Sequence, residues 1–200
     1  MSAPEGSVRA GGRLSPLMAT LRVRRAERAL HGVRPGRVLD VGCGHFPFFL
    51  SRSTFDRRFG VDRERGPGWT ELAATQGVML AVVNVERAPR LPFGDCSFDA
   101  VTLLAVVEHL RAETLEPLLA DVRRVLDDGG RVVLTTPPPW SDPVLRVLAR
   151  FGLASRTELD EHQTTYTPRR LRALLERAGF ARVRAGLFEL GLNVWASGER

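Results

Sequence analysis

The chain has no lysine: all 29 of its basic residues are arginine, set against 23 acidic residues for a net charge of +6. Together with abundant Ala, Gly, Pro and Leu, this is the mark of GC-rich coding. The charge therefore does not by itself select an anionic partner such as nucleic acid, a lipid headgroup or a phosphorylated sugar. Cysteine is nearly absent. Cys43 and Cys96 stand apart with no CxxC spacing, which excludes a disulfide framework and points to a reduced, cytoplasmic setting. Long hydrophobic runs are missing too. Ala100–Val107 and Val78–Val83 fall far short of the roughly 20 residues a membrane span needs. The arginine-bearing N-terminus has no apolar stretch of the kind a signal peptide carries. Paired metal-ligand spacing is also lacking, since His31 and His45 stand in no such relation to the other histidines, and no metal site is expected.

What remains, over 200 residues with 44% hydrophobic and 26% charged content, is the profile of one soluble globular domain. Residues 1–13 read as a disordered tail and 14–200 as a single domain. Ser15-Pro16 opens a helix running to about His31. Short apolar strands follow at Arg37–Val41, Arg58–Val61, Val78–Val83, Phe98–Leu104 and Arg131–Thr135. Helices are expected over Pro47–Arg52, Leu115–Leu126 and from Thr167-Pro168 to Ala178-Gly179. The second of these closes at Asp127-Asp128-Gly129-Gly130, with glycine as a left-handed cap. Ala181–Phe188 and Leu192–Ala196 form a last strand pair. Continuous apolar strands alternating with helices predict an α/β fold with a parallel sheet covered on both faces.

Ligands of such sheets sit beyond the carboxyl ends of the strands, and the unusual residues of this chain fall there. Strand one runs into Asp40-Val41-Gly42-Cys43-Gly44, a glycine turn that lets backbone approach a ligand. Pro47 stands where a dinucleotide fingerprint needs its third glycine, which counts against NAD or FAD. Asp62 ends strand two about 20 residues later, where an acid can accept hydrogen bonds from ribose hydroxyls. Asn84 and the Val85 N–H follow strand three and suit an adenine edge, although a loop asparagine also commonly satisfies its own backbone.

The ordered series VLDVGCG, GVD, NVE…LPFGDCSFDAV, LLAVVEHL and RVLDDGGRVVLTTP resembles the class I S-adenosylmethionine-dependent methyltransferases. The likeness is nearest to the small bacterial enzymes that include the quinone-type methyltransferases, and it runs from about Arg37 to Gly179. It implies a Rossmann-like three-layer sandwich whose mostly parallel seven-stranded sheet has an antiparallel last strand. It also implies S-adenosyl-L-methionine as cofactor, with Asp40, Gly42, Cys43 and Gly44 on the methionine side and Asp62 with Arg63 at the ribose. Asn84 and Val85 would lie at the adenine, and Leu104 and Ala105 beside the methionine. Two residues depart from the pattern: Phe46, where a small residue is common, and Asn84, where aspartate is.

Methyl transfer from a sulfonium is an in-line displacement that mainly requires nucleophile and methyl to be held about 3–3.5 Å apart in a dry site. If a general base is used, His109 and His162 are the candidates. Residues 137–166 read as an acceptor-side lid. Within it, Pro137-Pro138-Pro139-Trp140 is a turn rather than a base-modification signature, and Pro143–Leu153 is an apolar helix face able to cover a hydrophobic acceptor or lean on lipid. The expected acceptor is a small or lipid-linked molecule. Nucleic acid is the alternative partner and a non-catalytic binding module the alternative role.

Overall fold

The computed structural model describes residues 15–141, 143, 150 and 164–200. The 1–13 tail, nearly all of the Pro143–Leu153 helix and His162 lie outside these residues. Helix α1 (Ser15–Ala29) leads into β1 (Arg37–Val41), followed by α2 (Phe48–Arg52), β2 (Arg57–Asp62), α3 (Trp69–Gln76) and β3 (Met79–Val82). Then come β4 (Phe98–Leu104), α4 (Ala112–Val125), β5 (Leu126–Thr136), α5 (Pro168–Arg177), β6 (Ala181–Phe188) and β7 (Asn193–Glu199). The sheet order is β3-β2-β1-β4-β5-β7-β6. All pairings are parallel except those of β7, which runs antiparallel to both β5 and β6.

Alternation along the strands sorts the core into two layers. Leu39, Val41, Val101, Leu103, Val132 and Leu134 face α4 and α5, meeting Leu115, Leu119, Val122 and Leu171. Val38, Ala100 and Val133 face the other way, onto Val23 and Ala26 of α1, Leu50 of α2, and Trp69 and Leu72 of α3. Burying each large apolar side chain is worth roughly 1.5–3 kcal/mol, so both faces hold the sheet. Helix α5 starts where its sequence says it should: the Thr167 side chain accepts from the Arg170 N–H and Pro168 occupies the first turn, the preferred N-terminal chemistry.

The structure departs from the sequence reading at two elements. Asp127–Gly130 is not a helix cap. Leu126 leaves α4 in an extended conformation and already pairs with Phe98, whereas the next pairing joins Ala100 to Arg131. The four residues between them loop out as a bulge around Gly129, whose φ is +76°. Helix α3 had no sequence signal beyond the Gly66-Pro67-Gly68 punctuation. It is short, and Trp69 and Leu72 anchor it.

Arginine has structural employment over much of the surface. Arg124 pairs with Asp121 and Asp95, Arg131 with Glu199, Arg177 with Glu116 and Arg200 with Asp128. Among the described residues, no helix is long and apolar enough to cross a membrane.

Candidate functional site

Strand order reverses between β1 and β4, and a crevice opens at such a switch point beyond the carboxyl ends of the strands. The residues after β1, β2, β3 and β4 meet around it.

The turn after β1 is pinned to β2 on one side and packed against the segment leaving β4 on the other. The N–H groups of Gly42 and Cys43 both donate to the Val61 carbonyl, at 2.8 and 3.1 Å. Gly42 has a φ of +74°, and a Cβ on it would stand 2.4 Å from Cγ2 of Val106. The glycine turn therefore rests directly on the segment leaving β4. Gly44 is also left-handed, at φ +73°, but a Cβ there would meet nothing within 4 Å. Gly44 is half-buried, with free space where a side chain would stand. Cys43 turns its side chain into the core, where Sγ would be 2.9 Å from a Cβ on Gly60, so its contribution is to wedge the turn against β2.

Asp62 reaches back from β2 into the same turn. Its Oδ2 accepts from the Gly44 N–H at 2.8 Å and its Oδ1 from Glu64 N–H at 3.3 Å. The Trp69 indole N–H donates to the Gly44 carbonyl at 2.9 Å, gripping the glycine from its other end. Arg63 spans two strand tips through Glu86, at 3.7 Å. After β3, Asn84 uses its side-chain oxygen to accept from Glu86 and Arg87 N–H, at 3.0 and 3.2 Å. That is the local turn a loop asparagine commonly forms, and it uses the side-chain oxygen rather than the amide nitrogen. Val85 packs on the core layer below.

Beyond β4, Leu104 leans on the α1 layer and Ala105 is held at φ +57°, its N–H shared between the carbonyl and hydroxyl of Thr135 at 3.0 and 3.1 Å. A non-glycine residue in that region marks a constrained backbone. A single helical turn, Val107–His109, follows. It carries His109, half-buried, beside buried Glu108. The Pro137–Trp140 segment is the expected turn: the N–H and hydroxyl of Ser141 both donate to the Pro138 carbonyl, at 3.0 and 2.7 Å.

Beneath the glycine turn lies Asp40, 4% exposed, with the Thr102 hydroxyl donating to its Oδ1 at 2.6 Å. Burial pushes its carboxyl up to about 7; the Thr102 hydrogen bond opposes the rise and the charge of Asp62 adds to it. A carboxyl that holds its proton more tightly when folded stabilises the protein most below its unfolded value. That stability is lost as pH rises through the folded value. Between about pH 4 and about pH 7 the loss from this one group is on the order of 4 kcal/mol. Asp40→Asn should remove that part of the slope, and urea unfolding of both proteins across the interval measures it. An unchanged slope would show that Asp40 is ionised throughout.

Sequence reasoning passed over Thr102, Trp69, Val106 and Glu108. Thr102 left a trace, as a polar side chain within the apolar run of β4, in register with Asp40 of β1. Trp69 and Val106 left none, because each acts on a loop distant in sequence.

The comparisons with known proteins agree with this architecture. The profile of a family described as a methyltransferase domain matches residues 13–185. A demethylmenaquinone methyltransferase of Deinococcus radiodurans is 33% identical over 201 residues, covering 90% of this chain and 81% of the relative. A malonyl-[acyl-carrier protein] O-methyltransferase of Geobacter sulfurreducens is 30% identical over 163 residues, covering 76% of this chain. The chain spans only about half the length of some curated relatives, 58% of the Geobacter protein and 45% of a methyltransferase-named protein from Encephalitozoon cuniculi. Among solved structures, an S-adenosylmethionine-dependent methyltransferase from Archaeoglobus fulgidus superposes with a TM-score of 0.68 at 19% identity. It covers 92% of this chain and 94% of its own, and so shares the fold. Family profile, a relative matched along most of both chains and a common fold all converge on the same conclusion: this chain belongs to the class I S-adenosylmethionine-dependent methyltransferase family.

Proposed function

We propose that the protein transfers a methyl group from S-adenosyl-L-methionine to a small hydrophobic acceptor carried on a lipid. The observation that carries the donor half is the clamp at the switch point. Asp62 fixes Gly44 while the outer face of Gly44 stays open, and the remaining lone pairs of the Asp62 carboxylate are available to ribose hydroxyls. Gly42 and Gly44 would bring backbone against the methionine portion, with Leu104 and Ala105 on the opposite wall and Asn84 with Val85 at the adenine edge. Arg63, joined to Glu86, would close the rim.

When bound, the donor supplies an activated methyl: the carbon–sulfur bond breaks, its electron pair stays on sulfur, and a bond forms to the acceptor nucleophile. The protein holds the two reactants and excludes water. His109, on the turn just past Ala105, is the proposed recipient of any proton the acceptor must release. The named activities of the Deinococcus and Geobacter relatives support a small-molecule acceptor. A lipid-linked one is favoured by apolar surface at the same end of the sheet. Leu190 is fully exposed on a turn where it and Glu189 are both left-handed, and half-exposed Trp140 donates to the Gly191 carbonyl at 2.9 Å.

Calorimetry with S-adenosylhomocysteine tests the donor half. Saturable binding at micromolar ligand is expected, and no heat at high micromolar ligand would defeat the proposal. Transfer of labelled methyl to reduced demethylmenaquinone in detergent micelles, with malonyl-acyl carrier protein as the competing acceptor, then tests the acceptor half.

A further inference from the structure

Two buried polar atoms beside the β4 exit have no hydrogen-bond partner among the described residues: Oε2 of Glu108 and the phenol oxygen of Tyr166. Their residues are 2% and 1% exposed. Leaving a buried polar atom unpaired costs about 1–3 kcal/mol, more for a charged one, so each calls for a ligand or a water. The two residues belong to one unit. Thr164 N–H donates to the Glu108 carbonyl at 3.1 Å, and the Thr164 hydroxyl donates to the Leu110 carbonyl at 3.2 Å. These bonds tie the strand-like lead into α5 onto the turn after β4. The Arg170 guanidinium carbon lies 4.9 Å from the centre of the Tyr166 ring. That turn follows Val106, the residue on which Gly42 rests, which joins the pair to the glycine turn through the segment leaving β4.

The donor and acceptor inventory narrows what can fill it. A carboxylate only accepts, whereas a phenol can donate. One ligand group satisfying both atoms must give a proton to Glu108 and take one from Tyr166. A hydroxyl does this. A ketone or ether cannot donate, an ammonium cannot accept, and a carboxylate would face Glu108 with like charge. We propose that Glu108 and Tyr166 form the acceptor-recognition pair and select a hydroxyl-bearing acceptor over a carboxylate; this rests on the methyltransferase reading above. Burial raises the phenol of Tyr166 above its ordinary value; Thr164 and Arg170 oppose the rise while Glu108 and Glu113 add to it. Tyr166 therefore remains a donor at neutral pH.

Tyr166 is the sole tyrosine of the chain, so one carbon-13-labelled ring carbon gives one resonance. With the S-adenosylhomocysteine complex, 1-naphthol should move that resonance and 1-methoxynaphthalene should not. Tyr166→Phe and Glu108→Gln should each weaken 1-naphthol roughly tenfold or more with homocysteine-analogue affinity unchanged. Glu108→Gln should also admit 1-naphthoate, which the parent protein rejects. Tyr166→Phe removes only an unpaired oxygen, so it should fold as well as the parent. A resonance unmoved by 1-naphthol, absence of 1-naphthol binding at millimolar concentration, or equal 1-naphthol affinity in the parent and both variants would overturn the pair. Failure to bind S-adenosylhomocysteine would instead overturn the reading on which it rests.

Discussion

Gly42→Ala is expected to lower the unfolding free energy by about 2–5 kcal/mol and to abolish measurable S-adenosylhomocysteine binding. Two costs add at this position. A side chain at φ +74° pays about 1–2 kcal/mol for the left-handed conformation. Its methyl would also stand 2.4 Å from Cγ2 of Val106, and overpacking of this kind costs about 1–3 kcal/mol. Neither side yields easily. Gly42 is tethered to Val61 by its N–H, and Val106 is β-branched with few rotamers at the head of the Val107–His109 turn. Gly44→Ala is the control. It shares the left-handed φ but meets nothing within 4 Å, so it should cost only the conformational part in stability while still placing a methyl on the open face of the turn. Urea unfolding and ligand calorimetry on both variants separate the contributions. A Gly42→Ala protein as stable as the parent would mean that the turn does not bear on the β4 exit.

The layout of the sheet was legible because its strands are short, apolar and interrupted by glycine. The Arg37–Val41 and Phe98–Leu104 strands need no knowledge of their neighbours to be recognised, and both are found with those bounds. Asp62 and the glycines were legible as candidates for a related reason: they interrupt apolar strands at their carboxyl ends, where ligands of such sheets sit. What was not legible depends on contacts between distant residues. The Asp127–Gly130 bulge looks like a helix cap until Leu126 is seen paired with Phe98. Glu108 and Tyr166 are 58 positions apart in the numbering, and nothing local announces that both are buried and unpaired. For Asn84 the sequence left two uses open, and the structure shows its oxygen engaged in its own turn, which moves any adenine contact to the amide nitrogen.

Asp62→Ala is expected to weaken S-adenosylhomocysteine by about 1.5–3 kcal/mol, roughly 10- to 150-fold, the range for losing hydrogen bonds to a charged group. Two losses contribute in the proposed complex: the acceptor for ribose hydroxyls, and the 2.8 Å hold on the Gly44 N–H that keeps the turn in shape. Asp62→Asn separates them. The amide retains one oxygen for Gly44 but turns its NH2 toward the place Oδ1 occupies, against the Glu64 N–H. Stability should largely recover while affinity stays low. The same variant has a second readout in Asp40, whose carboxyl is raised by burial first and by the charge of Asp62 in addition. With that charge gone, the Asp40 proton should leave at lower pH, so the loss of stability as pH rises from about 4 should end sooner and be smaller. Parent-like affinity in Asp62→Ala would remove Asp62 from the ribose. A decline that stays in place in Asp62→Asn would show that the two carboxylates do not sense each other across the turn.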